Sequence, residues 1–196
     1  TKKTIGIRIK IPPNIKKTFI IIFIIQKIRS RNIKMKKILF TLIFITITNF
    51  TNVYAEEREN KLKNLFELLR DADTSGIANQ VEMEIWSIWT THPYEENLTK
   101  LLTKGSILMA ENKLYEAYDV FSTVIELDPV WAEGWNKRAT VLYLLGRYQE
   151  SQNDIEEVLK LEKRHFGALA GQGLVQKELK NYSKAIQSYK EVQEIY

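Results

Sequence analysis

The segment of residues 71–82, DADTSGIANQVE, is the stretch whose residue types and spacing could bind a metal ion. Oxygen-bearing side chains occupy the ligand positions of a twelve-residue calcium-loop pattern, and these are Asp71, Asp73, Ser75, Asn79 and Glu82. Oxygen ligands suit a hard cation. However, the eighth position of such a loop takes a branched apolar residue and here is Ala78, while Ile77 already begins a helical stripe. The segment therefore predicts a capped helical turn, with a calcium-binding module as the alternative.

The two histidines, His92 and His165, are the other candidates for chemistry. Neither has the spacing of a zinc site such as H-x3-H, and the chain has no cysteine, which excludes thiolate zinc ligands, a disulfide framework and a cysteine nucleophile. The sequence also offers no Ser-His-Asp set, phosphate-binding glycine loop or isolated acid pair. Both histidines are predicted to be inter-helix turn residues. We expect no enzymatic activity, catalytic residue, metal or cofactor.

The elements that position these residues follow a pattern that repeats every 34 residues from Leu98 to Tyr196. The eighth position of each unit is small and the twenty-fourth is large and apolar: Gly105, Ala139 and Gly173, then Phe121, Ile155 and Tyr189. Two helices that cross closely need such pairs, because a small residue on one lets a ring or branched chain of the other pack against backbone. The fixed spacing indicates repeated helical hairpins.

At this level of detail the sequence resembles the tetratricopeptide repeat family, whose signature combines aromatic, Leu-Gly, Tyr, Ala, Phe and Pro residues at set places. Trp135 stands at the first aromatic position, Gly146 with Tyr148 matches the turn inside a unit, and Asp128-Pro129 matches a closing turn. Arg138 and Lys163 depart from the pattern. The run from Glu133 to Gly173 is also similar to a subgroup of exported bacterial repeat proteins. The resemblance implies an all-α, right-handed superhelical solenoid of antiparallel helix hairpins.

The resemblance also implies three units, at 98–131, 132–165 and an incomplete 166–196, whose first helices line a concave groove. The lining positions are the second, fifth, ninth and twelfth of each unit: Thr99, Leu102, Ser106 and Met109; Glu133, Asn136, Thr140 and Tyr143; Gly167, Ala170, Leu174 and Lys177. These side chains are a mixture of small, polar and apolar groups. Such a mixture suits a protein or peptide partner.

The N-terminal residues read as a leader. Residues 1–34 contain no Ala, Leu, Val, Asp or Glu and do not begin with Met, so we interpret them as non-native upstream translation or a disordered tail. Residues 35–55 have the basic start, apolar core and small-residue cleavage site of a secretory signal peptide. We expect cleavage after Ala55 and a periplasmic or secreted bacterial protein. The alternative is an uncleaved anchor in the inner membrane.

Residues 56–97 carry two helical apolar stripes that do not fit the 34-residue spacing. Because the terminal units of solenoids are atypical, this segment is predicted to be an N-terminal capping hairpin. At the far end, Ile186, Val192 and Ile195 are expected to be partly uncovered, which indicates that the gene continues beyond Tyr196. The tryptophans are predicted to pack in the core or between hairpins, at Trp86, Trp89, Trp131 and Trp135.

The charge distribution argues against nucleic acid as a partner. Residues 1–55 hold 12 of the 29 Lys and Arg and no acidic residue, so residues 56–196 have 17 basic against 24 acidic residues, a net charge of −7. Phosphate backbones would be repelled. The sequence therefore predicts an exported scaffold that binds a protein or peptide in its groove and meets the membrane only during export or through an uncleaved anchor. A calcium module and a structural spacer of a longer cell-envelope protein are the alternatives.

Overall fold

The computed structural model describes residue 41 and residues 55–196. The chain divides into two compact units, residues 1–61 and 62–196. In the first unit, Thr41 and residues 55–61 are described and are helical. The segment interpreted as upstream translation or tail lies outside the described residues. So does the predicted signal peptide, apart from Thr41 and Ala55.

Eight helices and no strand make up the described stretch 55–196. They are α1 (55–70), α2 (Ser75–Thr90), α3 (Glu96–Ala110), α4 (Leu114–Leu127), α5 (Ala132–Leu144), α6 (Tyr148–Leu161), α7 (Phe166–Glu178) and α8 (Tyr182–Gln193). From α3 onward each helix packs against the next, so the pairs α3–α4, α5–α6 and α7–α8 are stacked hairpins. The predicted all-α solenoid of antiparallel hairpins is confirmed. None of the helices in this stretch combines the length and apolar character that a membrane crossing requires.

The small and large residues of the repeat meet inside each hairpin. A β-carbon on Gly105 would lie 2.5 Å from Cε1 of Phe121, and one on Gly173 would lie 2.5 Å from Cε1 of Tyr189. A ring can occupy this position only because the facing residue has no side chain. In the middle hairpin the large residue is the narrower Ile155, and Ala139 is tolerated in the same cluster.

The turns inside the hairpins share one backbone conformation. Asn112, Gly146 and Lys180 have φ angles of 59°, 72° and 62°, in the left-handed region, and each follows the first helix of its hairpin. The residue after each turn donates its N–H to a carbonyl of the last helical turn, as Arg147 does to Leu142 at 2.9 Å. These bonds close the C-termini of α3, α5 and α7.

Arg138, which departs from the repeat signature, is stabilised by a new partner. Its guanidinium donates two hydrogen bonds to Asp154, at 2.7 and 2.8 Å. It also lies over the ring of Trp135, with 5.0 Å between the guanidinium carbon and the ring centroid. The ion pair joins α5 to α6, so the substitution keeps the hairpin closed.

The α1–α2 hairpin packs against the third repeat. Leu62, Phe66, Ile85 and Trp89 share a core with Phe166 at the start of α7. Val192 and Ile195, expected to be partly uncovered, are half-buried against this core, whereas Ile186 is 57% exposed. All three side chains are therefore partly uncovered, as expected, and the α1–α2 hairpin supplies the contacts of Val192 and Ile195.

Candidate functional site

The groove face is the surface formed by the twelve lining positions of α3, α5 and α7 given above. Both α3 and α7 contact α5, so the three first helices lie side by side. Residues one turn apart on a helix point the same way. We call the second and fifth positions of each unit, near the start of each helix, the inner half. The ninth and twelfth positions, near the end of each helix, are the outer half.

Leu102 does not line the groove. It is 2% exposed and belongs to the core of the first hairpin, together with Phe121 and Val124. The side chain at this fifth position of the unit points into the first hairpin, because α3 and α4 pack around it. The inclusion of Leu102 among the partner-binding residues is therefore corrected.

Asn136 is also withdrawn from solvent. The residue is 7% exposed, and its amide nitrogen donates a hydrogen bond of 3.2 Å to Oε2 of Glu133. The amide of this predicted lining residue thus already bonds within the protein. Residue Glu133 itself is 1% exposed.

The buried carboxylate of Glu133 is compensated by two basic side chains. The Nζ atom of Lys137 lies 3.2 Å from Oε1, and Nε2 of His165 lies 3.1 Å from Oε2. Burial alone would raise the pKa of Glu133, but the hydrogen bond from His165 and the charge and hydrogen bond of Lys137 hold this pKa below its ordinary value. A charged carboxylate is therefore a structural part of the inner half.

His165 connects this carboxylate to α7. Its Nδ1 accepts a hydrogen bond of 3.1 Å from the N–H of Ala168, so the imidazole caps the N-terminus of the helix. Because Nδ1 accepts, the ring proton is on Nε2 and points at Glu133. His92 is built in the same way, with Nδ1 accepting from the N–H of Glu95 at 2.8 Å and Nε2 2.6 Å from Asp128. Both histidines are turn residues, as predicted, and both are also buried.

Helix α2 covers the inner half of the groove face. A β-carbon on Gly167 would lie 2.5 Å from Cη2 of Trp86, so the indole rests directly on the backbone of α7. The ring of Trp89 stacks on His165, with centroids 4.1 Å apart and planes 10° from parallel. Lys137 places Nζ 5.7 Å from the centroid of Trp86. These contacts bury the part of the face that holds Glu133.

The outer half is open. Thr140, Leu174 and Lys177 are exposed, with Leu174 at 42%, and Tyr143 is half-buried beside the ring of Tyr148. We call Thr140, Tyr143, Leu174 and Lys177 the open strip. Ser106 and Met109 in the outer half, and Ala170 in the inner half, are partly buried. The strip offers an aromatic ring, an aliphatic side chain, a hydroxyl and an ammonium group on adjacent helices.

The segment of residues 71–82 has a different backbone form from a calcium-binding loop. Thr74 caps α2, with its Oγ1 accepting from the N–H of Ile77 at 3.3 Å, and residues 75–82 are helical. A twelve-residue loop wrapped around a cation cannot form on a helix. Within the described residues, no group of three or more His, Cys, Asp or Glu side chains could hold a metal ion. The capped helical turn predicted from the sequence is what the segment forms.

Comparison with known proteins agrees with this geometry. Two family models, each described as tetratricopeptide repeat, match residues 132–165 and 167–196. A TPR repeat-containing protein of Rhizobium etli is 32% identical over an alignment of 155 residues, and the alignment covers 74% of this chain and 74% of that protein.

The chain belongs to the tetratricopeptide repeat (TPR) family. A further relative is Hsp70-Hsp90 organizing protein 1 of Glycine max, 30% identical over 123 residues, which are 62% of this chain and 22% of that protein. The crystal structure of the Sgt2 TPR domain from Aspergillus fumigatus is similar with a TM-score of 0.50 and 20% identity, over 52% of this chain and 67% of that domain. It shows the same fold.

The sequence did not reveal two features of this site. One is the Glu133–His165 pair, whose partners are 32 residues apart. The other is the position of α2 on the groove face. One signal was present in the sequence, since Gly167 is a glycine at a lining position, and such a residue indicates close approach by another group.

Proposed function

We propose that this TPR protein is a protein–protein interaction scaffold that binds a peptide or protein segment along the open strip. Stacked hairpins present an extended surface made of side chains from several units. The Glycine max relative is named as a protein that organises Hsp70 and Hsp90, which supports a role in assembly rather than in catalysis. The described residues of the groove face suit binding.

The open strip carries this proposal. It is the part of the groove face that α2 leaves accessible, and its four side chains come from α5 and α7, which contact each other directly. Tyr143 combines a flat apolar face with a hydroxyl, a combination that favours protein contacts at low cost in side-chain entropy. Leu174 and Lys177 add an apolar contact and a positive charge. A short segment with an apolar residue and a nearby carboxylate fits this surface.

A peptide library displayed on phage and selected on the full chain would test the proposal. The selected peptides are then measured by fluorescence anisotropy against a Tyr143→Ala, Leu174→Ala double variant. The matched control is Tyr115→Ala, Leu127→Ala, which removes the same two residue types from exposed sites on α4. We expect the groove variant to lose about tenfold or more in affinity and the control to keep it. Equal losses of affinity in the groove variant and the control, or a selection that yields no binding peptide, would favour the structural-spacer alternative.

We also propose that the protein is exported. The support is the signal-peptide pattern of residues 35–55, read from the sequence. Expression of the gene in a bacterial host, followed by fractionation and mass spectrometry of the N-terminus, tests this. We expect mature protein that begins at Glu56 in the periplasm or medium. Uncleaved protein in the membrane fraction would support the anchored alternative, and uncleaved protein in the cytoplasm would contradict export.

A further inference from the structure

His165 lies at the point where α2, α5 and α7 meet, and the residue is 0% exposed. Its imidazole stacks on Trp89 and meets the ring of Trp86 edge-on, with centroids 5.4 Å apart. Nε2 lies 3.1 Å from Oε2 of Glu133 on α5, and Nδ1 accepts a hydrogen bond of 3.1 Å from the N–H of Ala168 on α7. One buried ring therefore contacts three helices, each in a different way.

The position of this ring suits its neutral form. A neutral imidazole has one donor and one acceptor, and both are used, because Nε2–H points at Glu133 and the lone pair of Nδ1 points at the N–H of Ala168. An imidazolium has a proton on each nitrogen, so Nδ1–H and the N–H of Ala168 would point at each other across 3.1 Å. The start of α7 is also the positive end of the helix dipole. Protonation therefore forces the ring to turn away from the helix that it caps.

The charged groups that face the ring already have partners. On α5, Lys137 lies 3.2 Å from the other carboxylate oxygen of Glu133. On the loop that carries His165, Glu162 pairs with Arg164 at 2.7 Å. From α2 and α7 the ring meets two indoles and a backbone N–H, which carry no formal charge. A proton on His165 would therefore place a second buried cation beside the single carboxylate of Glu133.

The indole of Trp89 would attract an imidazolium, because a cation over an aromatic face is stabilised. This attraction requires the two rings to stay flat on each other, as they are with planes 10° from parallel. In that position, however, Nδ1 still points at the N–H of Ala168. An imidazolium can keep the stack or avoid this N–H, but not both.

His92 is the internal comparison, because its ring has the same kinds of hydrogen bond in a more open place. Nε2 lies 2.6 Å from Oδ2 of Asp128, whose side chain is 22% exposed and whose other oxygen accepts the N–H of Val130. Protonation of His92 therefore forms a one-to-one ion pair. Its Nδ1 accepts from the N–H groups of Tyr94 and Glu95, which are exposed residues where water can replace the ring. His92 can accept a proton with less disturbance than His165.

We propose that His165 is an acid-sensitive switch at the junction of α2 and α7, in which protonation turns the imidazole and loosens both the first turn of α7 and the stack with Trp89. Unperturbed histidine changes charge at about pH 6.5, so a mildly acidic medium is enough to operate the switch. His92 is protonated in the same range without this effect. The inference does not rest on the proposed function, because no residue of the open strip takes part.

Amide hydrogen exchange of the full chain at pH 7 and pH 5, expressed as protection factors, tests the switch. We expect protection at the amides of residues 168–171 and 86–90 to fall at least about tenfold at pH 5, while α4 is unchanged. At pH 5 the carboxylate of Glu133 keeps its charge, because its pKa lies below the ordinary value of 4.5. Its titration therefore does not contribute to the change.

His165→Asn removes the titrating group and keeps a cap, because the side-chain oxygen of asparagine accepts an N–H of the first helical turn. Protection at the same amides should then be equal at the two pH values. His92→Asn is the matched control and should show the fall of the wild-type protein. The inference is overturned if wild-type protection does not change, if the fall persists in His165→Asn, or if it is absent in His92→Asn.

Nuclear magnetic resonance of the imidazole nitrogens in the wild-type chain gives a second readout that does not require any variant to fold. At pH 7 the Nδ1 atom of His165 should carry no proton. The pH at which it gains one should coincide with the midpoint of the loss of protection at residues 168–171. Protection that is retained after His165 has gained its second proton would contradict the inference.

Discussion

The indole of Trp89 lies flat against the imidazole of His165, with ring centroids 4.1 Å apart and planes 10° from parallel. Trp89 belongs to α2, and His165 is the residue whose side chain caps α7. The stack therefore joins the N-terminal hairpin to the third repeat. It also covers the pair that His165 forms with Glu133.

Trp89→Ala should destabilise the protein by about 3 kcal/mol, because it removes a buried ring and leaves a cavity. Trp89 is 4% exposed. Urea unfolding followed by circular dichroism measures the change. Met83→Ala on the same helix should shift the free energy of unfolding by no more than about 0.5 kcal/mol. If both variants unfold alike, α2 does not contribute to the core.

Glu133→Gln should lower stability by about 3 kcal/mol at pH 7, because it leaves Lys137 and His165 beside a neutral amide. The pKa of Glu133 is held below its ordinary value of 4.5 in the folded protein. The stabilisation by its charge is therefore present above 4.5 and is lost as the pH falls through the folded pKa. Urea unfolding at pH 7 and pH 3 should show the difference between variant and wild type shrinking in acid. A difference independent of pH would contradict this role.

Gly105→Ala should cost about 1–3 kcal/mol, because the new β-carbon would lie 2.5 Å from the ring of Phe121. Gly171→Ala is the matched control, since Ile155 Cδ1 is the nearest atom at 3.8 Å and the residue lies inside α7. There alanine should stabilise the helix by about 1 kcal/mol. Thermal unfolding measures both. If Gly105→Ala also raised the melting temperature, helix propensity and not packing would determine the effect at residue 105.

Lys180→Gly should stabilise the protein by about 1 kcal/mol, because Lys180 has a φ of 62° in the left-handed region, where a β-carbon is strained. Gly146→Ala, at the equivalent turn with φ of 72°, should destabilise it by a similar amount. The melting temperatures should move in opposite directions. Shifts in the same direction would mean that the two turns are not equivalent.

The periodic part of the fold could be predicted from the sequence because it depends on local patterns. The 34-residue spacing, the small and large pairs and the turn at Gly146 are each encoded by residue type at a fixed place. The left-handed turns at Asn112 and Lys180 could also have been found by counting from Gly146. The turn at Lys180 is not evident from the residue type, because lysine has no preference for the left-handed conformation.

The site was less predictable because its contacts join distant residues. Leu102 and Asn136 occupy lining positions of the family, but packing of Leu102 within the first hairpin and the bond from Asn136 to Glu133 withdraw both from solvent. The contact of Trp86 with Gly167 spans two repeats and follows no period. The chemistry of each side chain could be read from the sequence, but the contacts between distant side chains could not be predicted from it.

Hydrogen exchange of the full chain, with and without a peptide selected from the library, tests the binding proposal most directly. We expect bound peptide to slow exchange in α5 and α7, at the amides of residues 132–144 and 166–178, while α4 and α6 are unchanged. The open strip lies on α5 and α7 and not on α4 or α6. Protection confined to α4, α6 or α8 would show that partners bind the opposite face and would contradict the proposed function.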